Sequence, residues 1–246
     1  MRRQTKPFRT ALSLLAVSLL AACSTLSEPT ITAPIERPSG SVSWPGLIPP
    51  AKEHVNRRLD QIEGQPSLQG GVLFVGDSIT EGAPLYAMFP NLQTAHHGIG
   101  WDTSEGVLLR MAQITRNTPQ RLFLLIGTND TNYTDDPKRI SGNILEIADQ
   151  LEAALPETEL YVLSVLPRGG AGNAVISAVN QIVEDAADTR GFVYLDLASA
   201  MRAENGEMKP ALSYDNLHLN VHGYGVWEAV LRDCVWNGCP KGLLAD

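Results

Sequence analysis

The stretch Val72-Leu73-Phe74-Val75-Gly76-Asp77-Ser78-Ile79-Thr80 decides the fold of this chain. Its apolar half lies between glycines, a pattern typical of a fully buried parallel strand. Ser78 then stands where the strand ends and a helix begins. Open α/β sheets bind ligands at such points, where backbone N–H groups face negative charge. A serine in this position can act as a helix cap or as a nucleophile, and the rest of the chain must decide between the two.

Further apolar segments alternate with segments of helical periodicity along the chain. Strands are predicted at 72–75, 94–97, 122–126, 160–166 and 193–197, and helices at 51–64, 104–114, 140–155, 175–189 and 221–235. This alternation predicts a mainly parallel sheet that is covered on both faces. A nucleotide-binding fold has the same layout, but the glycines after the first strand lack the G-x-G-x-x-G spacing and the P-loop lysine.

The charge of the chain argues against a nucleic-acid partner. The formal charge is −8, and residues 1–22 contribute four basic residues and no acidic one. Without them, 15 basic residues stand against 27 acidic ones, which gives −12. Such a surface repels nucleic acid phosphates and anionic lipid headgroups.

The amino terminus has the pattern of a secretory signal. A positive segment precedes the apolar run 11–22, which is too short to span a bilayer and ends at Cys23. The pattern resembles a bacterial lipoprotein signal, in which Cys23 carries the lipid; the alternative is an ordinary signal peptide with an incidental cysteine. Residues 1–22 are then the signal peptide, and the expected location is the cell envelope, anchored by lipid to the outer membrane. Membrane fractionation of the full chain tests this expectation.

Residues 23–50 are rich in Ser, Thr and Pro, which predicts an extended tether before a domain at 51–246. The two remaining cysteines, Cys234 and Cys239, flank an Asn-Gly pair that favours a turn. In an oxidising compartment we expect them to form a disulfide. A metal site is the weaker alternative, because two cysteines without a nearby histidine supply too few ligands.

Polar residues outside the strands suggest partners for Ser78. A serine hydroxyl needs a base within hydrogen-bond reach, and histidine is suitable because its pKa lies near neutrality. Among the five histidines, His218 alone follows a carboxylate, Asp215, by three residues. This spacing allows Asp215 to orient one ring nitrogen and leave the other for Ser78. An ion pair in a loop is the alternative interpretation of the same two residues.

Acyl transfer also needs donors for an oxyanion. The N–H groups of Ser78 and Gly98 and the side-chain amide of Asn129 are the candidates, since each follows a predicted strand. Gly98 would allow the backbone to approach the substrate closely. Asn129 is also common as an ordinary turn residue.

The blocks Gly76-Asp77-Ser78, Gly98, Gly127-Thr128-Asn129-Asp130 and Asp215-x-x-His218 resemble, in this order, those of the SGNH (GDSL-type) serine hydrolases. The resemblance extends over residues 51–236, and the segments at 166–169 and 214–220 are similar to the branch of platelet-activating-factor acetylhydrolase subunits. It implies a flavodoxin-like three-layer α/β/α sandwich with a five-stranded parallel sheet. It also implies Ser78 as nucleophile, His218 as base and Asp215 as its orienter, with neither metal nor other cofactor.

The expected function is hydrolysis of short-chain esters, acetyl above all, on envelope or environmental carbohydrate. The partners are then a small-molecule or glycan ester and, through the lipid anchor, a membrane. A lipid-directed esterase of lysophospholipase type, an acyltransferase with the same triad and a catalytically silent binding lipoprotein are the alternatives. Trp101 stands where relatives often have a small residue, and either packs in its loop or offers a stacking face for sugar.

Overall fold

The computed structural model of the protein describes residues 49–239, with side chains from residue 51 onward. The predicted signal peptide 1–22, the lipidated Cys23 and nearly all of the predicted tether 23–50 lie outside the described residues and stay predictions. The first helix begins at Pro49, two residues inside the predicted tether. Proline is tolerated in the first turn of a helix because its missing N–H has no partner there.

Helices and strands alternate along the described chain as the sequence predicts. The strands are β1 (Val72–Gly76), β2 (Thr94–Gly98), β3 (Arg121–Leu125), β4 (Glu159–Leu163) and β5 (Val193–Leu195). The helices are α1 (Pro49–Glu63), α2 (Ser78–Glu81), α3 (Leu85–Met88), α4 (Ser104–Leu109), α5 (Met111–Thr115), α6 (Pro137–Ala154), α7 (Asn173–Ala187), α8 (Ala198–Met201) and α9 (Val221–Asn237). Single 3₁₀ turns cover Asn129–Asn132 and Pro210–Leu212.

The strands form one parallel sheet in the order β2-β1-β3-β4-β5. The last residue of β1, Gly76, pairs with Gly98 of β2 on one side and with Leu125 of β3 on the other. The segments that follow β1, β2 and β3 therefore meet at the carboxyl edge of the sheet. This arrangement explains how residues far apart in sequence can share one site.

Successive side chains of a strand point to opposite faces of the sheet, and helices cover both faces, so the side chains on each face are buried. On one face Phe74, Phe123 and Tyr161 stack in a row, and Trp227 of α9 meets Phe74 edge to face. The opposite face contributes Leu73, Val75, Leu122 and Leu124 to a second core with α4 to α7. The result is the predicted three-layer α/β/α architecture with a five-stranded parallel sheet.

Apart from shifts of one to three residues at element ends, such as β5 ending at Leu195, two predicted elements differ from the structure. The helix predicted at 104–114 breaks at Arg110 (φ −114°) into α4 and α5. The break accompanies a buried guanidinium that is bound to Asp102 and to two strand carbonyls. The strand predicted at 160–166 ends at Leu163, where the backbone leaves the ladder and Asn180 binds the N–H and C=O of Val165 instead.

The carboxyl terminus of α9 is closed by a disulfide between Cys234 and Cys239, as predicted. The Cys239 N–H also donates to the Tyr161 hydroxyl at 2.9 Å, which joins this segment to the sheet. No helix within residues 49–239 is both long and apolar enough to cross a membrane.

Candidate active site

Ser78, His218 and Asp215 lie in one hydrogen-bonded line at the carboxyl edge of the sheet. The Ser78 Oγ is 2.9 Å from His218 Nε2, and His218 Nδ1 is 2.7 Å from Asp215 Oδ2. The aspartate thus faces one ring nitrogen and the serine the other. This geometry permits the imidazole to accept the serine proton while its opposite N–H remains hydrogen-bonded.

The local fold before α9 fixes the orientation of Asp215. Its Oδ1 accepts the N–H groups of Leu217 (3.0 Å) and His218 (2.7 Å), which leaves Oδ2 for the imidazole. The Ser213 hydroxyl donates to the His218 carbonyl at 2.7 Å and closes the loop. Partial burial raises the pKa of Asp215, but the hydrogen bonds from His218 and Leu217 outweigh it and hold the pKa below its usual value.

Asn129 follows β3 and Ser78 follows the neighbouring strand β1, so both lie at the carboxyl edge of the sheet. The Asn129 Nδ2 donates to the carbonyl of Asp102 at 2.8 Å, and the side chain is buried. A primary amide carries two N–H groups, so the second is available to a substrate. The N–H of Ser78 belongs to the first turn of α2, where an α-helix provides no internal acceptor.

The structure gives Gly98 a different role from the predicted one. The Ile99 N–H donates to the Gly76 carbonyl, so the alternation of a parallel ladder directs the Gly98 N–H and C=O away from β1. The Gly98 carbonyl accepts from Arg58 on that outer side. A Cβ at residue 98 would overlap the backbone nitrogen of Glu81. Gly98 therefore lets β2 pack on α2, and its N–H does not face the serine.

A turn after β2 places another backbone N–H at the site. The Asp102 N–H donates to the Ile99 carbonyl at 3.1 Å, and Trp101 has a φ of 72°. This conformation matches the third position of a type II turn, which normally holds glycine. Within residues 51–239 the Trp101 N–H donates to no protein acceptor. The carbonyl of the next residue, Asp102, accepts from Asn129 Nδ2. Sequence reasoning missed the Trp101 N–H because a tryptophan occupies the position where a glycine would have revealed the turn.

Three buried carboxyl groups lie beneath the site: Asp77, Asp102 and Asp130. Asp102 binds the Nε of Arg110 at 2.9 Å, and the Nη2 of the same guanidinium donates to the His97 carbonyl. Asp130 accepts the N–H and the hydroxyl of Ser104. Burial raises the pKa of Asp102 to about 6, although Arg110 opposes the shift. These contacts fix the ends of β1 and β2 and the start of α4.

Asp77 makes the stability of the protein depend on pH. Burial raises its pKa to about 7, despite the Ile79 N–H that it accepts, and the charges of Asp102 and Asp130 add to the shift. An exposed aspartate titrates near 4. The stabilising contribution of the protonated form is therefore fully present below about pH 4 and lost as the pH rises to 7.

We expect Asp77→Asn to flatten this dependence. Asparagine keeps an oxygen for the Ile79 N–H but does not ionise. Urea unfolding at pH 4.5 and pH 7 measures the free energy of unfolding of both proteins. The wild type should lose more of it between the two pH values than the variant. Equal losses in the two proteins would contradict the assignment.

Within residues 51–239 none of the other four histidines hydrogen-bonds to the Ser78 hydroxyl. His97 is buried in β2. Its burial, together with the smaller effect of the positive charge of Arg110, lowers its pKa to about 3. His222 is exposed in the first turn of α9. His54 of α1 is half-buried and binds Glu81 at 2.9 Å. Within the described residues no group of three or more His, Cys, Asp or Glu side chains is arranged to hold a metal ion.

Among residues 51–239, three exposed aromatic side chains lie in the loops at the carboxyl edge of the sheet. The ring of Tyr214 stacks on that of His218, with centroids 5.8 Å apart and an angle of 12° between the planes. Trp101 is 49% exposed, and Tyr133, which follows the 3₁₀ turn of Asn129, is 45% exposed. The sequence does not predict the stacking of Tyr214 on His218, because the position of a tyrosine directly before Asp215 does not indicate a ring contact.

Comparison with known proteins agrees with this geometry. The GDSL-like Lipase/Acylhydrolase family matches residues 74–226. The alpha2 subunit of platelet-activating factor acetylhydrolase IB from Rattus norvegicus is 29% identical over 163 residues, which cover 62% of this chain and 70% of the relative. The alpha1 subunit from Mus musculus is 26% identical over 208 residues, which cover 80% and 83%.

Solved structures share the fold at lower identity. A putative platelet activating factor from Streptococcus pneumonia has a TM-score of 0.69 at 22% identity, covering 75% of this chain and 94% of that one. Axe2, an acetylxylan esterase from Geobacillus stearothermophilus, has a TM-score of 0.55 at 16% identity, covering 72% and 99%. The matched blocks run from β1 to α9 and include the segments that carry Ser78, Asn129 and His218. The chain therefore belongs to the GDSL-like Lipase/Acylhydrolase family and is a carboxylic ester hydrolase.

Proposed function

We propose that this protein is a serine esterase that removes short acyl groups, acetyl above all, from carbohydrate through an acyl-enzyme on Ser78. The observation that carries the proposal is the continuous line from Ser78 Oγ through His218 to Asp215, with distances of 2.9 and 2.7 Å. A serine that only capped a helix would need no imidazole at hydrogen-bond distance.

The reaction follows from the contacts. As the Ser78 Oγ attacks the ester carbonyl, His218 Nε2 accepts its proton and Asp215 stabilises the imidazolium that forms. The N–H groups of Ser78, Trp101 and the Asn129 amide surround the developing oxyanion. His218 then donates its proton to the leaving alcohol, and a water molecule, activated by the same imidazole, hydrolyses the acyl-enzyme.

The exposed aromatic rings favour a carbohydrate substrate. A flat ring such as that of Trp101 or Tyr214 offers an apolar face together with a polar edge to a partly polar ligand. Among the similar proteins, the relatives are named acetylhydrolases, and one structural neighbour is named an acetylxylan esterase. These names support an acetyl group and a sugar as the starting hypothesis.

Replacing Trp101 by glycine tests the carbohydrate assignment. Glycine suits the φ of 72° and retains the backbone N–H, so the oxyanion donor is kept while the indole is lost. We expect kcat/KM for p-nitrophenyl acetate to change less than about 3-fold, whereas KM for acetylated xylooligosaccharides rises about 10-fold, the loss of one stacking contact.

Trp236→Ala is the matched control, because this tryptophan is also partly exposed but lies near the end of α9. It should leave both substrates unaffected. Equal KM values for the wild type and Trp101→Gly on the sugar, or hydrolysis of lysophospholipid in preference to sugar acetates, would favour the lipid-directed alternative. A transferase is distinguished by transfer of acetyl to an added sugar hydroxyl instead of release of acetate.

A further inference from the structure

The carboxylate of Glu81 binds the turn after β2 three residues beyond Ser78. The Gly100 N–H donates to Glu81 Oε2 at 2.6 Å. His54 Nε2 lies 2.9 Å from the same oxygen, and Arg58 Nε is 3.2 Å from Oε1. Glu81 is about one quarter exposed, so these contacts are only partly screened by solvent. One carboxylate thus connects the serine helix, the turn and α1.

Two residues of α1, His54 and Arg58, bind the same carboxylate and adjoin the β2 end and the turn. Arg58 donates through Nη2 to the Gly98 carbonyl at 3.0 Å and so joins Glu81 to the end of β2. Arg57 donates to His54 Nδ1 at 3.3 Å. Because a guanidinium can only donate, Nδ1 is the acceptor, and His54 Nε2 carries the proton that it donates to Glu81.

Two glycines allow the backbone to approach Glu81 this closely. A Cβ at residue 98 would overlap the Glu81 backbone, and a Cβ at residue 100 would lie 3.2 Å from Glu81 Oε2 and 3.1 Å from His54 Nε2. Both glycines of the Gly98-Ile99-Gly100 segment are therefore explained by packing on Glu81.

We propose that Glu81 is a positioning residue that holds the Ile99–Asp102 turn so that the Trp101 N–H faces the oxyanion. This inference rests on the proposed function. Trp101 adopts a φ that a side chain disfavours, so the surrounding contacts must impose it. Asp102 is held on one side of Trp101 by Asn129 and Arg110, and Gly100 on the other side by Glu81. Loss of Glu81 releases one of these two anchors.

Glu81→Ala and Glu81→Gln test the role. Alanine removes the acceptor of the Gly100 N–H, whereas glutamine retains an oxygen and loses the charge that attracts Arg58. For p-nitrophenyl acetate we expect kcat to fall about 100-fold in Glu81→Ala, as for loss of one oxyanion donor, and about 10-fold in Glu81→Gln, with KM nearly unchanged. A trifluoromethyl ketone, whose adduct bears the oxyanion, should bind more weakly by the same factors.

Glu159→Gln is the matched control, because Glu159 also forms a partly buried ion pair, with Arg121, but at the opposite edge of the sheet. Its kcat should stay within about 2-fold of the wild type. The kcat of each variant is calculated per active site, with the sites counted by fluorophosphonate titration. If Glu81→Ala and Glu81→Gln both have the wild-type kcat, the inference is overturned. A lower kcat without weaker ketone binding would also overturn it. If the Ser78→Ala variant keeps the wild-type activity, the proposed function is overturned instead.

Discussion

Ser78→Ala is expected to lower kcat for p-nitrophenyl acetate by about 10⁶-fold, the order seen when a serine nucleophile is removed. The substitution deletes the atom that attacks the carbonyl and leaves the rest of the site in place. Within residues 51–239 the only side-chain partner of the Ser78 hydroxyl is His218, so the fold should be unaffected. Initial rates of the purified variant, with circular dichroism to verify the fold, measure the effect.

Two comparisons make this result specific. Ser177→Ala changes an exposed serine of α7 and should retain full activity. Because residues that act as a unit are not additive, Ser78→Ala combined with His218→Ala should be no slower than Ser78→Ala alone. Retention of more than about a tenth of the wild-type kcat by Ser78→Ala would remove the serine from the mechanism and favour a binding lipoprotein or another nucleophile.

Asp215→Asn is expected to lower kcat by about 10³ to 10⁴-fold while the loop remains folded. The reason lies in the backbone contacts of the carboxylate. Oδ1 is held by the N–H groups of Leu217 and His218, so the amide oxygen of asparagine takes that place. The NH₂ group then faces His218 Nδ1 and forces it to accept. The imidazole proton moves to Nε2, which can no longer accept the proton of Ser78.

Rates at pH 7 for Asp215→Asn and for Asp188→Asn, an exposed aspartate at the end of α7, measure this effect. The control should retain its activity. Asp215→Ala separates the tautomer argument from loss of charge, since alanine leaves Nδ1 free to bind water. If Asp215→Asn retains wild-type kcat, the pairing of Asp215 and His218 is only a loop ion pair.

The sequence predicts the five strands, the long helices and the residues Ser78, His218, Asp215 and Asn129 of the site. Buried strands appear as apolar runs, and a parallel sheet brings their carboxyl ends to one edge, so the sequence alone predicts that Ser78 and Asn129 share that edge. The spacing of Asp215 and His218 permitted their pairing but left a loop ion pair as the alternative, and the family resemblance favoured the pairing. These predictions depend on local patterns and on a topology with few alternatives.

The remaining features depend on contacts between distant segments. The pattern around Gly98 shows that a glycine is needed, but not whether the backbone approaches a substrate or, as in the structure, Glu81. The direction of the Gly98 N–H follows from its register with Gly76, which no single-sequence pattern records. Likewise, His54 has the spacing of a solvated helix residue and only the tertiary fold brings it to Glu81.

Covalent trapping of the nucleophile tests the account most directly. The wild type is incubated with a fluorophosphonate at pH 7, and peptides are then analysed by mass spectrometry. We expect one phosphonyl group per chain, attached to Ser78, and loss of labelling in His218→Ala, because the base must remove the serine proton. A label on another residue, or labelling of Ser78 that is as fast without His218, would contradict the proposed mechanism.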